Sequence, residues 1–249
     1  MKTSYIIPTL ALAGLFCSCS TNTYVSNTVN VPLFKEKGEI KANIDQNDLQ
    51  VAVAIDDHWG VMANGFYKAY DGEEYYSHSG RLGELGLGYF TPLKNKNLIF
   101  ETYVGGGMGS VSKKVTYTNN DNAEITNSFN ARGARAFIQP GIGYSNQYFD
   151  AAFSPRFSFV KYTRFSSTGF SQEELAKDYL ENDRILNGFY TFAEPALTLR
   201  AGYRFIKLQG QYGLTMKMSG GNLRYQSMFG NIGLAFDIAS WYSKPARKK

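Results

Sequence analysis

The chain has 249 residues, a formal net charge of +5 and 19% charged side chains. That length suits one domain, and the charge is spread out, not gathered into the basic face that nucleic acid requires. Beyond the first twenty residues no apolar run approaches the roughly 18 residues of a spanning helix, so helical membrane spans are excluded there.

The N-terminus reads as a targeting segment. Lys2 gives a short positive region, and Tyr5–Phe16 is an apolar core too short to span as a stable helix. Leu15-Phe16-Cys17-Ser18-Cys19 follows. It resembles the lipobox of bacterial lipoproteins, in which a small residue precedes the acylated cysteine. The resemblance implies cleavage after Ser18 and lipidation of Cys19, and Cys17 then leaves with the signal. An ordinary cleaved signal with two incidental cysteines is the alternative. The expected division is a signal over 1–18, a lipidated polar tether over 19–35, a β-barrel over 36–242 and a basic tail over 243–249. The tether lacks acidic residues after Cys19, which places the anchored end in the periplasm.

Downstream the pattern is one of alternation. Phe149, Ala151, Phe153, Pro155, Phe157 and Phe159 share one parity; Asp150, Ala152, Ser154, Arg156 and Ser158 share the other. Successive strand side chains point to opposite faces, so the segment has an apolar and a polar face. Similar segments predict about ten strands, at 37–45, 48–56, 59–70, 81–91, 98–117, 128–144, 148–164, 189–203, 205–218 and 223–238. The fold class is therefore all-β: an antiparallel up-and-down transmembrane barrel, with hydrocarbon outside and charge inside. A mean hydropathy of −0.30 is compatible, because polar lumen residues offset apolar outer ones. Parity assigns the expected lumen network to Glu84, Glu101, Arg135, Asp150, Arg156, Glu194, Arg200 and Lys207. Glu39, Asp237, Lys41 and Lys68 have the same parity.

Short connections at Asp56–His58, Thr91–Asn97, Ser145–Gln147 and Arg204 alternate with longer ones at Asp71–Gly80, Tyr117–Asn127 and Phe165–Gly188. Outer-membrane barrels have short periplasmic turns and long external loops, so the long loops are expected outside. Trp59, Tyr89, Tyr144, Tyr148, Phe149, Tyr203, Phe205, Trp241 and Tyr242 would girdle the short-turn end, and Tyr67, Tyr70, Tyr162, Phe165 and Tyr190 the other. Pro140, Pro155 and Pro195 fall inside expected strands without the donor a ladder needs, which calls for a bulge or local distortion. Ser171-Gln172-Glu173-Glu174 is a capping box and predicts one short helix to about Glu181.

Chemical motifs are sparse. Gly105–Gly109 has no Gly-Lys-Ser/Thr and reads as a strand where crowding demands small side chains. Asp56-Asp57-His58 is one turn with too few convergent metal ligands, and Asn119–Asn122 with Glu124 lacks calcium-loop spacing. Ser77-His78-Ser79 near Glu73 and Glu74 is the one grouping with nucleophile and base.

The Cys17-Ser18-Cys19 region, with strand signatures GIGYSNQYFDAAFSPRF and FAEPALTLRAGYRFIKLQGQYGL, resembles a family of small outer-membrane β-barrel lipoproteins of Gram-negative bacteria. The likeness is of pattern and carries over no catalytic residue. It implies a non-enzymatic monomer without cofactor, surrounded by outer-membrane lipid, that displays loops to a surface ligand or protein. Two other readings stand beside it. One is a barrel enzyme for lipid A modification or proteolysis near His78. The other is a lipid-tethered periplasmic carrier like a lipocalin, with Phe153, Phe157 and Leu199 turned inward.

Overall fold

The structure is a computed structural model and describes residues 22–72, 76–118 and 123–238. Its strands are β1 (Ile40–Asp45), β2 (Asp48–Ala54), β3 (Trp59–Gly72), β4 (Tyr76–Pro92), β5 (Leu98–Thr118), β6 (Glu124–Ser145), β7 (Phe149–Thr168), β8 (Tyr190–Tyr203), β9 (Ile206–Leu214), β10 (Met216–Ser219) and β11 (Met228–Asp237). Each pairs antiparallel with its neighbour from β1 to β9; β9 then pairs with β11, and β11 with β1. Ten strands thus close a barrel, and β10 continues the line of β9 along β8.

Parity sets the two faces. Phe153, Leu199 and Leu234 are 49%, 45% and 40% exposed, whereas Arg156 and Arg200 on the opposite parity are 1% and 5% exposed. Phe153, Phe157 and Leu199 therefore lie on the outer wall, not in the inverted arrangement that a ligand-carrying barrel would need. The wall is uneven in height. β1 and β2 have 6 and 7 residues, and β5 and β6 have 21 and 22.

The strands β3 to β7 climb further than expected, through Tyr76–Gly80, Glu124–Asn127 and Phe165–Thr168. Pairs such as Tyr70↔His78 and Thr116↔Thr126 continue the ladders there. Both faces are polar or solvated at that height, so no apolar alternation marked these residues as strand. The last strand starts late, at Met228, because Arg224 and Gln226 bond instead to the backbone of Thr23 and Tyr24.

The expected helix is present as α1 (Gln172–Lys177), with the Ser171–Glu174 capping box formed. A second short helix, α2 (Asn182–Asn187), follows it. Leu175, Leu180 and Ile185 from this loop are buried against Tyr24, Phe129, Tyr162 and Tyr190, closing the long-loop mouth. Tyr162 and Tyr190 are thus 5% and 0% exposed interior residues, a correction to the expected upper girdle; their parity points inward. Trp59, Tyr89, Tyr148, Phe149, Tyr203 and Phe205 are exposed at the short-turn end. Trp241, Tyr242 and the basic tail lie outside the described residues.

The three prolines stand in one row. Pro155 opposes Pro195 on β8, and the register on its other side, Ile138↔Phe157 and Ile142↔Phe153, sets it opposite Pro140. Opposite residues on antiparallel strands alternate between bonded and non-bonded pairs. Pro155–Pro195 is accommodated as a non-bonded pair, so the backbone of Pro155 turns to Pro140, where neither residue has an N–H to give. The β6–β7 ladder is broken there, between Ile138 and Ile142. Pro195 likewise faces the junction of β9 and β10, where its missing donor ends β9 at Leu214. The distortion is a gap in two ladders, not a bulge.

Candidate functional site

The lumen is occupied by the chain itself. Residues 23–34, apart from Val25, are buried, and the segment runs the length of the barrel. It enters where Thr23 N and Tyr24 N donate to Arg224 O beside the long loops. It leaves where Lys35 Nζ donates to Ser145 O among the short turns. The expected free tether over 19–35 is therefore, from Asn22 onward, the filling of the barrel. Its side chains are uncharged, polar toward the long loops and apolar toward the short turns; their role is set by wall residues far away in sequence.

Each of the eight expected lumen residues is buried inside the wall. Glu194 is the most densely bonded. Its Oε1 accepts from Tyr24 OH at 2.7 Å and Ser26 Oγ at 2.6 Å, and its Oε2 from Arg156 Nε and Ser158 Oγ, both at 2.7 Å. Arg156 stands directly opposite on β7 and donates Nη2 to Asn27 O at 2.9 Å. Ionised pairs taken out of water need this density of hydrogen bonds to offset desolvation.

Glu84 and Arg135 are two strands apart, each in register with Gly107 between them. With no side chain at Gly107 they meet across it, Arg135 Nη2 lying 2.6 Å from Glu84 Oε1. A Cβ at Gly107 would come 2.0 Å from Gly83 O and 2.7 Å from Glu84 Cγ. Arg135 also donates to Tyr24 OH at 2.9 Å and Asn27 Oδ1 at 2.6 Å. The glycine run Gly105–Gly109 thus makes room for neighbouring side chains, among them the Phe137 ring near Gly105.

A third group lies nearer the short turns. Lys207 Nζ donates to Asp150 Oδ1 at 2.6 Å, and Arg200 Nη1 lies 3.8 Å from Asp150 Oδ2. Arg200 also donates to Gln209 Oε1 at 2.7 Å and Val31 O at 2.8 Å. Glu101 makes no ion pair with it; its Oε2 accepts from Leu33 N at 2.9 Å. Lys68 has inward parity but stands exposed above the rim.

The wall reads the filling nearly residue by residue. Gln211 bonds both N and O of Val29, at 2.6 and 2.8 Å. Gln50 donates to Thr28 O at 3.0 Å, and Gln139 to Asn30 O at 2.7 Å. Sequence reading did not single out these three glutamines; their inward parity inside apolar strands was the available signal. Apolar packing flanks the ionic layer at both ends. Val29, Val31, Leu33 and Phe34 pack against Ile99, Phe229, Phe90, Met62 and Tyr103, and the helical loop covers Tyr24. At the short-turn end the two kinds of contact interleave, since Lys207 reaches both Asp150 and the turn carbonyl of Asn146.

Among the described residues the remaining motifs are not gathered into a site. His78 Nε2 lies 3.4 Å from Asn22 O, while Ser79 on the opposite face bonds Ser112 Oγ at 2.8 Å. Glu73, Glu74 and Asn119–Asn122 lie outside the described residues. Asp56 and Asp57 are exposed, and His58 Nδ1 lies 3.1 Å from Phe90 O with its ring over Tyr89.

Cys19 itself lies outside the described residues, but Asn22 is at the long-loop rim beside His78. Three residues of extended chain reach at most about 11 Å. A lipid carried at Cys19 would therefore be held at the long-loop end.

Comparison with protein-family models, curated proteins and solved structures gave no match.

Proposed function

We propose that the protein is a non-enzymatic outer-membrane barrel lipoprotein, sealed by its own N-terminal segment and presenting its long-loop end as a contact surface of the envelope. The observation that carries this is the reversal of faces. Leu85, Met108, Leu197, Leu208 and Ile232 are exposed on the outer wall at 49–78%, while eight ionisable side chains and the backbone of residues 23–34 are enclosed. Water as the surrounding solvent gives no reason for that order; acyl chains do, because every polar group must then be satisfied within.

Two further observations support it. Exposed aromatics gather at the short-turn end, where Trp59 meets Tyr89 edge-on and Tyr148 meets Tyr203, as rings at a headgroup boundary do. The lumen is filled by hydrogen-bonded chain, which favours a rigid mount for the loops over passage of solute. With short turns in the periplasm, the acyl chains on Cys19 enter the outer leaflet.

Fractionation of cell envelopes followed by gel mobility with and without boiling tests this reading. A membrane-bound, heat-modifiable band is expected; a soluble band with unchanged mobility overturns it. The side is tested separately. Glu173→Cys, in the exposed part of α1, should react with a membrane-impermeant maleimide on intact cells, and protection until the cells are lysed would reverse the orientation.

A further inference from the structure

The outer wall has a dent where the low β1–β2 hairpin meets the taller strands. Gly65 and Gly83 are opposite each other there, and both face open space. A Cβ at Gly83 would meet nothing within 4 Å, and one at Gly65 only Leu49 O at 3.9 Å. Leu49 and Met108, 55% and 78% exposed, flank this floor in the same outward row. The result is an open groove of about 710 Å³, within the usual range for a small-molecule site.

One outward row higher, toward the long loops, the chemistry changes sign. Arg81 is in register with Ser110, and Ser110 with Arg132. Both arginines are exposed and line the groove. Arg81 Nε donates to Ser110 Oγ at 2.8 Å, which turns its guanidinium toward Arg132. Two strand spacings put the two backbones about 10 Å apart, a gap that two long side chains can close on one anion. Arg164 extends the row on β7. Of the two carboxylates in the lining, Asp48 is buried at 4% exposure, and Asp45 accepts from the backbone N–H groups of Asn47 and Asp48 and from Asn231.

The height fits a lipid. Eight residues of β4 separate Tyr89 in the lower aromatic ring from Arg81. At about 3.3 Å per residue and a tilt near 40°, they rise about 20 Å, close to the apolar band of such barrels. Cations on the outer wall are tolerable only at the edge of that band, where phosphates are.

We propose that this groove binds one anionic, phosphate-bearing membrane lipid, its acyl chain over Gly65 and Gly83 and its phosphate between Arg81 and Arg132. The inference rests on the membrane reading above and deepens it. Guanidinium forks match phosphate oxygens in pairs, and the glycine floor admits a chain that any larger residue would exclude. The occupant is a lipid and not free phosphate, because apolar floor and cations form one continuous surface.

The test uses the full chain inserted in phosphatidylcholine vesicles containing a minor fraction of phosphatidylglycerol, with bound lipid read by native mass spectrometry. Wild type should retain phosphatidylglycerol. R81S/R132S should retain about tenfold less, as expected for the loss of charge-assisted hydrogen bonds. G83L, with both arginines intact and space for the new side chain, should lose it comparably. Glycerol 3-phosphate added in solution should not compete. Equal retention by all three proteins overturns the site, and effective competition by glycerol 3-phosphate reassigns it to a free anion. Vesicle flotation and heat-modifiable mobility of the same samples separate the two readings. A wild type that does not insert overturns both; insertion without lipid preference overturns this one alone.

Discussion

At the scale of single residues, Glu194 and Gly107 hold the interior together by opposite means. Glu194 gathers four donors, two from β7 and two from the lumen segment. Glu194→Ala leaves Arg156 buried and unpaired, which costs about 3–5 kcal/mol; a fall of that size in urea stability, followed by heat-modifiable mobility, is expected. Gly107→Val should lower the yield of folded barrel, because a Cβ there meets the Gly83 carbonyl and separates Glu84 from Arg135. At the rim, burial holds the His78 pKa below its ordinary 6.5, with Lys113 and Lys68 acting the same way. A depressed histidine binds fewer protons folded than unfolded, so stability falls as pH drops from about 6.5 toward the folded value and is flat below it. His78→Gln should abolish that part of the pH dependence of unfolding. The buried charges were legible because strand parity alone sorts them. The glutamines that read the lumen segment were not, since an inward Gln looks the same whether it faces water or backbone.

At the scale of elements, the proline row is the weak course in the wall. Three adjacent strands lose donors at one height, and the gap falls beside the Arg156–Glu194 pair, which spans β7 and β8 by side chains where backbone bonds fail on either flank. Pro155→Val restores one donor toward Pro140 and should stabilise by about 0.5–1.5 kcal/mol, seen as slower amide exchange between Ile138 and Ile142. The strands themselves were legible wherever one face is apolar. They were cut short at the long-loop end, where β3 to β7 rise beyond the apolar band and alternation fades. Individual prolines were visible in the sequence, but their alignment depends on register, which is a property of pairs of strands.

At the scale of the molecule, the ten-strand meander followed from counting alternating segments, while the segment that fills the lumen did not. Residues 23–34 carry no charge, and their order comes from the cylinder around them. If that segment is the seal, replacing Tyr24, Ser26, Asn27 and Asn30 together with glycine should admit small ions. Wild type should give no steps in a planar bilayer, and the variant should give them; current through wild type would show that the filling leaks.

The route of this segment also dictates a sequence of events. With the lipidation proposed above, the chain would have a bulky, greasy end near Asn22 that cannot be drawn through a finished ring. The sheet must curl around residues already lying along its axis, and the hem is sewn last, when β11 meets β1. Residues 23–34 would thus be the mandrel on which the rest is wound.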